Sequence, residues 1–252
     1  MSDGYTFEIC VENADNALAA ERGGADRVEL CASLLEGGLT PSYGMVREAV
    51  KRLTIPAMVM VRPRGGDFLY SEIEFAAMLD DVKAFREMGA PGVVFGCLTA
   101  DGAIDESRMT QLVEAAGPMQ TVCHRAYDMV RDAMEALEAL VRCGVDRVLT
   151  SGCAASALEG QAALRDIVSA ASGRIDILVG GGIRKHNIAE VLAATGAREA
   201  HFSASVEVQS GMVYRNPAIG MGGGTQDREY ILKVTSEDLV RETIAAAKGA
   251  RP

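Results

Sequence analysis

Between positions 62 and 68 the chain reads Arg62-Pro63-Arg64-Gly65-Gly66-Asp67-Phe68, which gathers two guanidiniums, two glycines and a carboxylate. Arg62 and Arg64 can each present planar, bidentate hydrogen bonds to a carboxylate or phosphate. Gly65 and Gly66 allow the backbone to turn through positive φ and approach a ligand closely. Asp67 can orient an arginine or accept from a hydroxyl. Alone, the same run also fits a polar strand-to-helix turn whose arginines pair with surface acids.

Other reactive side chains stand at the ends of apolar runs. Glu8 and Cys10 close the first, Glu29 and Cys31 the second, and His124, Arg125 and Asp128 follow the fifth. Thr150-Ser151-Gly152, Gly180-Gly181-Gly182 and His201 end the last three. His124, His201, Glu8 and Glu29 are candidates to move protons, with Asp128 or Asp67 orienting a partner. Arg62, Arg64, Arg125, Ser151, Gly181 and Gly182 are candidates to hold an anion. Free N–H groups ahead of a helix favour phosphate. Cys10 and Cys31 offer soft sulfur for Cu(I), with the Met58 and Met60 thioethers nearby. They equally suit small buried hydrophobes, and Glu8 and Glu29 equally suit an ion network inside a core.

These residues need a scaffold that brings distant strand ends together. Apolar runs begin near Tyr5, Asp26, Ala57, Gly92, Met119, Asp146, Ile175 and Glu199, and helical patterns separate them. Eight strand-helix units with short connections predict one closed (β/α)8 barrel, whose active face lies at the C-terminal strand ends. An open doubly wound sheet rarely needs so many regular units. Side chains alternate along a strand. With Phe7 and Ile9 facing helices, Glu8 and Cys10 point inward. The same parity turns Arg27, Glu29 and Cys31 inward, then Met58, Met60 and Arg62, then Glu199, His201 and Ser203. A buried carboxylate needs a partner, and Arg62 and Arg147 are the expected partners of Glu8 and Glu29. Residues 204–234 break the rhythm as a long loop or oligomer arm containing Gly220-Met221-Gly222-Gly223-Gly224.

The bulk numbers exclude several classes. The 252 residues are 48% hydrophobic, enough for a large core, and the net charge is −10. That balance argues against a nucleic-acid partner, which needs a basic surface, but allows a small anionic ligand in a local basic pocket. No apolar run approaches the roughly 20 residues of a membrane span. The opening Met1-Ser2-Asp3-Gly4 lacks signal-peptide features. Six cysteines without a Cys-x-x-Cys fit reduced thiols in the cytoplasm. No nicotinamide, flavin or pyridoxal fingerprint is present, so no organic cofactor is expected.

Several segments together resemble the CutC family of copper homeostasis proteins over nearly the whole chain. They are Glu8-Ile9-Cys10, residues 24–31 (GADRVELC), residues 36–42 (EGGLTPS), Ile55-Pro56, residues 62–68, residues 124–129 (HRAYDM), residues 147–152 (RVLTSG) and Tyr214-Arg215-Asn216. The resemblance implies a TIM barrel, a cytoplasmic location, a homo-oligomer of dimeric form, and copper binding or tolerance. In it, Cys10 and Cys31 match proposed copper-binding cysteines. The residues alone support a second reading, an enzyme that acts by acid/base chemistry on a small sugar- or phosphate-like anion.

Overall fold

Short β-rich segments of four to six residues cannot bury themselves alone. Here eight of them pair edge to edge until no edge remains. In the computed structural model, which describes residues 4–216, 218–220 and 229–249, the strands are β1 Thr6–Val11, β2 Arg27–Leu30, β3 Ala57–Met60, β4 Gly92–Phe95, β5 Gln120–Cys123, β6 Arg147–Thr150, β7 Asp176–Val179 and β8 Glu199–Phe202. They form a closed parallel barrel in chain order, with β1 also pairing β8 through Phe7 opposite Ala200. The helices are α1 Ala14–Arg22, α2 Tyr43–Arg52, α3 Glu72–Glu87, α4 Glu106–Ala116, α5 Ala133–Cys143, α6 Gln161–Ala171, α7 Ile188–Thr195 and α8 Glu237–Lys248. The (β/α)8 expectation holds.

Local chemistry sets the helix ends. Ser71 accepts from the Glu74 N–H while Glu74 reaches back to the Ser71 N–H, a capping box that starts α3. Asp132 caps α5 through the Met134 and Glu135 N–H groups, and Gly144 ends it in the left-handed region. The main core lies between strands and helices, built from side chains such as Phe7, Ile9, Phe95 and Leu140. A second apolar cluster fills the barrel itself, with Cys31, Met58, Met60, Val94, Val122, Leu149 and Leu178. The inward parity expected for Cys31, Met58 and Met60 is therefore observed.

Below this cluster lies a buried ion network. Glu8 pairs with Arg27, Arg27 with Glu199, and Glu199 with Arg147, which also reaches Asp176. The expected partners of the inward carboxylates are thus corrected. Glu8 takes Arg27, its direct register partner on β2, and Arg147 serves Glu199. Arg62 sits beyond the end of β3 and turns away from both carboxylates.

The segment after β8 is not wholly irregular. Strands β9 Ser205–Gln209 and β10 Ile231–Thr235 form a two-stranded antiparallel ribbon. Tyr230 receives the Asn216 N–H at 2.7 Å and lies under the Arg215 guanidinium. The glycine-rich run 221–224 falls outside the described residues.

Candidate functional site

The register of β1, β2 and β8 decides which side chains meet at the barrel mouth. Cys10 lies opposite Glu29, and Glu8 opposite both Arg27 and His201. The Glu29 carboxylate is therefore flanked by two thiols, with Cys10 Sγ at 3.2 Å and Cys31 Sγ at 3.4 Å from the same Oε2. His201 Nε2 stands 3.8 Å from that oxygen, and His201 Nδ1 is 2.8 Å from Glu8 Oε1. The other Glu29 oxygen is buried without a partner among the described residues. Five residues singled out in the sequence, Glu8, Cys10, Glu29, Cys31 and His201, thus form one cluster.

Its electrostatics follow from burial and pairing. Burial pushes Glu8 up, but hydrogen bonding to His201 and the Arg27 and His201 charges outweigh it, holding Glu8 at about 2. Burial opposes the His201 imidazolium, yet the Glu29 charge and contacts with Cys10 and Glu8 raise it well above the usual histidine value. Burial lifts the Glu29 carboxyl, and the negative charge at Cys10 adds to that rise. The Cys10 thiol falls to about 5, chiefly through its hydrogen bond with Cys31, against burial, with His201 and Glu29 assisting. Cys31 is raised well above an ordinary thiol by the same bond and by burial. One thiolate therefore stands at Cys10 beside an imidazolium, able to ligate a soft metal or exchange a proton.

A cavity of about 450 Å³ opens above this cluster. Cys10, His201, Gly181, Gly182, Arg125, Arg184 and Lys233 of β10 are among the residues that line it. Asp128 holds Arg125 and the end of β6 in place. Its carboxylate accepts from the Thr150 and Ser151 hydroxyls and the Ser151 and Cys153 N–H groups, and it pairs with Arg125 at 2.7 Å. Arg125 also donates to Ser151 Oγ at 2.9 Å. Asp128 thus orients Arg125 and the β6 end rather than facing the cavity.

The run that drew first notice is placed differently. Arg62 is buried, and its Nη1 donates to the Glu36 and Gly38 carbonyls, its Nη2 to the Gly66 carbonyl. Arg64 donates to Glu74, to Asp67 and to the Gly65, Asp67 and Leu69 carbonyls. These guanidiniums, expected to hold an anion, instead tie down the loops after β2 and β3. Asp67 binds Arg64 and the Leu69 N–H. His124 is buried against Phe68, and its Nδ1 accepts the Ala126 N–H at 3.2 Å. It does not line the cavity. Burial, with the Arg62 charge adding to it, lowers His124 to about 3, so it is neutral at pH 7.

Arg184 and Lys233 were not singled out in the sequence. Arg184 follows the strand-seven glycines after one residue, Ile183, which was a usable signal. For Lys233 the signal was the alternation in Ser205-Val206-Glu207-Val208-Gln209 and Ile231-Leu232-Lys233-Val234-Thr235, which encodes a ribbon.

Fold and site together define a (β/α)8 barrel protein with a thiol, carboxylate and imidazole cluster under an open mouth. Residues 5–206 match the model of the CutC family. A family protein CutC of Mesorhizobium japonicum is 61% identical over 242 residues, covering 96% of this chain and 94% of that protein. The mouse copper homeostasis protein cutC homolog is 47% identical, with 98% and 90% covered. The chain belongs to the CutC family. The crystal structure of a CutC protein from Streptococcus agalactiae superposes with a TM-score of 0.76 at 33% identity, covering 79% of this chain and 98% of that one. Phosphoribosylanthranilate isomerase of Pyrococcus furiosus, 14% identical with a TM-score of 0.55 over 97% of this chain and 99% of that one, shares the fold alone. No helix among the described residues is long and apolar enough to cross a membrane.

Proposed function

We propose that this protein acts in cytoplasmic copper homeostasis by binding Cu(I) as cargo between Cys10 and Cys31. The observation that carries this reading is the donor set. Cys10 Sγ, Cys31 Sγ and a Glu29 oxygen all lie within 4.8 Å of one another. Two metal–thiolate bonds of about 2.3 Å, the length typical of zinc sites, span roughly 4.6 Å end to end. Soft sulfur ligands select Cu(I) over harder divalent ions. The ion would enter past Cys10, which lines the cavity, because Cys31 is fully buried. Gly38 packs directly on Cys31, since a Cβ there would stand 3.0 Å from its sulfur.

Anaerobic competition against a chromogenic Cu(I) chelator tests the reading. Wild type should withhold one equivalent, and Cys10→Ser/Cys31→Ser should release it to the chelator. Equal Cu(I) retention by the double variant would remove the site. The dimer implied by family resemblance has support in the apolar surface after β8, where Val213 is 99% exposed and Tyr214 is 74% exposed. Sedimentation of wild type against Val213→Asp checks it, with a monomeric wild type as the contrary result.

A further inference from the structure

We infer that the cavity beside the thiol cluster is a binding site for the phosphate group of a small phosphorylated organic molecule. Gly181, Gly182, Arg125, Arg184 and Lys233 are the residues that would hold it. This assignment does not depend on copper binding.

Charge supplies the first argument. The chain carries 25 basic residues against 35 acidic ones, yet the cavity is locally cationic. Its lining includes Arg125, Arg184 and Lys233 against one carboxylate, Glu12, which accepts the Leu34 N–H at 2.8 Å. With Asp128 balancing Arg125 from outside the lining, Arg184 and Lys233 remain as the local excess. A local excess of this sign concentrates anions.

Free donors supply the second. Arg125 uses Nε on Asp128 and Nη2 on Ser151, which leaves Nη1 without an acceptor among the described residues. Arg184 uses only Nη1, on the Ile183 carbonyl. Lys233 makes no side-chain ion pair with a described residue, and its cross-strand neighbour is Glu207. The backbone N–H groups of Gly181 and Gly182 likewise meet no acceptor among the described residues.

Backbone geometry is the third. Gly181 and Gly182 take φ of +92° and +73°, a region costly for other residues. A Cβ on Gly181 would stand 3.0 Å from Ser151 Cβ and 3.5 Å from the Arg125 guanidinium carbon. The missing side chain therefore lets Arg125 lie against the glycine turn, so that backbone and guanidinium donors converge. Consecutive N–H groups in a turn form an anion-binding concavity.

Phosphate fits this donor set better than carboxylate does. It presents three strong acceptor oxygens and close to two negative charges, and donors reach it from the β5 end, the β7 turn and the ribbon. A carboxylate offers two oxygens and one charge. Cys10 and His201 line the same cavity beside the glycine turn, so the organic part of the molecule would lie over them.

The test is calorimetric titration of wild type with glycerol 3-phosphate, inorganic phosphate, malonate and glycerol. Wild type should bind the two phosphates saturably at millimolar concentration or below, and glycerol not at all. Arg184→Met/Lys233→Met should weaken phosphate binding about tenfold or more, as expected for the loss of charge-assisted bonds. Both positions are exposed, so ligand-free melting should be unchanged, which separates lost binding from lost folding. Cys10→Ser/Cys31→Ser should still bind phosphate, so failure here and failure of the copper reading are distinguishable. Absence of saturable phosphate binding by wild type overturns the site, as does undiminished binding by the Arg184/Lys233 variant. Malonate binding as tight as that of glycerol 3-phosphate overturns the phosphate assignment.

Discussion

Arg62 and Arg64 lie at the end of β3, Arg125 and Arg184 across the barrel mouth after β5 and β7. In the first pair most donors are committed to the protein, with Arg62 alone bonded to three carbonyls from two loops, although its buried Nε meets no acceptor among the described residues. In the second pair, Arg125 Nη1 and the Arg184 Nε and Nη2 groups have no acceptor among the described residues, and Lys233 stands with them. Residue type and nearness to glycine are the same in both regions. What separates them is whether a loop comes close enough to use the guanidinium. The 31–42 loop does so for Arg62, because Gly37 and Gly38, at φ of +85° and +92°, fold its carbonyls back over the β3 end. An arginine used in this way stabilises the scaffold, whereas one left free is available to a ligand.

The largest expected effect tests the committed side. Arg62→Met should destabilise the protein by about 3 kcal/mol, because it removes three charge-assisted bonds and leaves the buried Gly38 carbonyl without its donor. Chemical denaturation of wild type and variant measures it. A cost below about 1 kcal/mol, the size of an average substitution, would mean that the loops stand without Arg62 and would break the comparison.

The next effect is pH-dependent and rests on His124, which burial and then the nearby Arg62 charge hold at about 3 against an ordinary 6.5. Between those values the unfolded chain takes up a proton that the folded chain refuses. Stability from this group is full above pH 6.5 and falls as pH drops toward 3, by up to roughly 1.4 kcal/mol per unit. Cys10, lowered to about 5, contributes with the same sign from its ordinary 9 downward, so wild type alone cannot isolate the histidine. His201 is raised, and its contribution is present at low pH and lost as pH rises. Glu8 stability is lost only below 4.5. Denaturation of wild type and His124→Gln at pH 6.5 and 5 separates these, since Gln can still accept the Ala126 N–H. Wild type should lose more stability over that interval than the variant. Parallel profiles would show that His124 already accepts a proton in the folded state.

The inward parity of Glu8, Cys10, Glu29, Cys31 and His201 was legible in the sequence, because strand alternation is a local rule and the apolar partners Phe7, Ile9, Val28 and Leu30 mark the other face. Closure of the barrel then brings β8 beside β1, so the cluster follows from topology. The fate of Arg62 was not legible. Two of its acceptors lie 24 and 26 residues earlier, in a loop whose path depends on positive φ at Ser33, Gly37 and Gly38. The partner of Glu8 was obscured for a related reason. Alternation tells which residues face inward but not at which height, and strand stagger places Arg27 level with Glu8. Lys233 reaches the mouth only because β9 and β10 pair, and their alternation was overshadowed by the glycine-rich stretch between them.

The smallest effect concerns the uncommitted side. Lys233→Met should change stability by no more than about 0.5 kcal/mol, as for surface positions outside any network. Its ammonium has no described carboxylate partner, and Leu232 beside it is already half exposed, so β10 tolerates apolar side chains at its surface. The comparison is sharpest when this variant and Arg62→Met are measured side by side without ligand. A large loss at Lys233 would mean that the ribbon relies on this charge to dock on the barrel, and the lysine would then belong with Arg62 among the structural cations. Near-zero loss, together with several kcal/mol at Arg62, would place the cations of the mouth in two groups divided by whether the protein itself uses their hydrogen-bond donors.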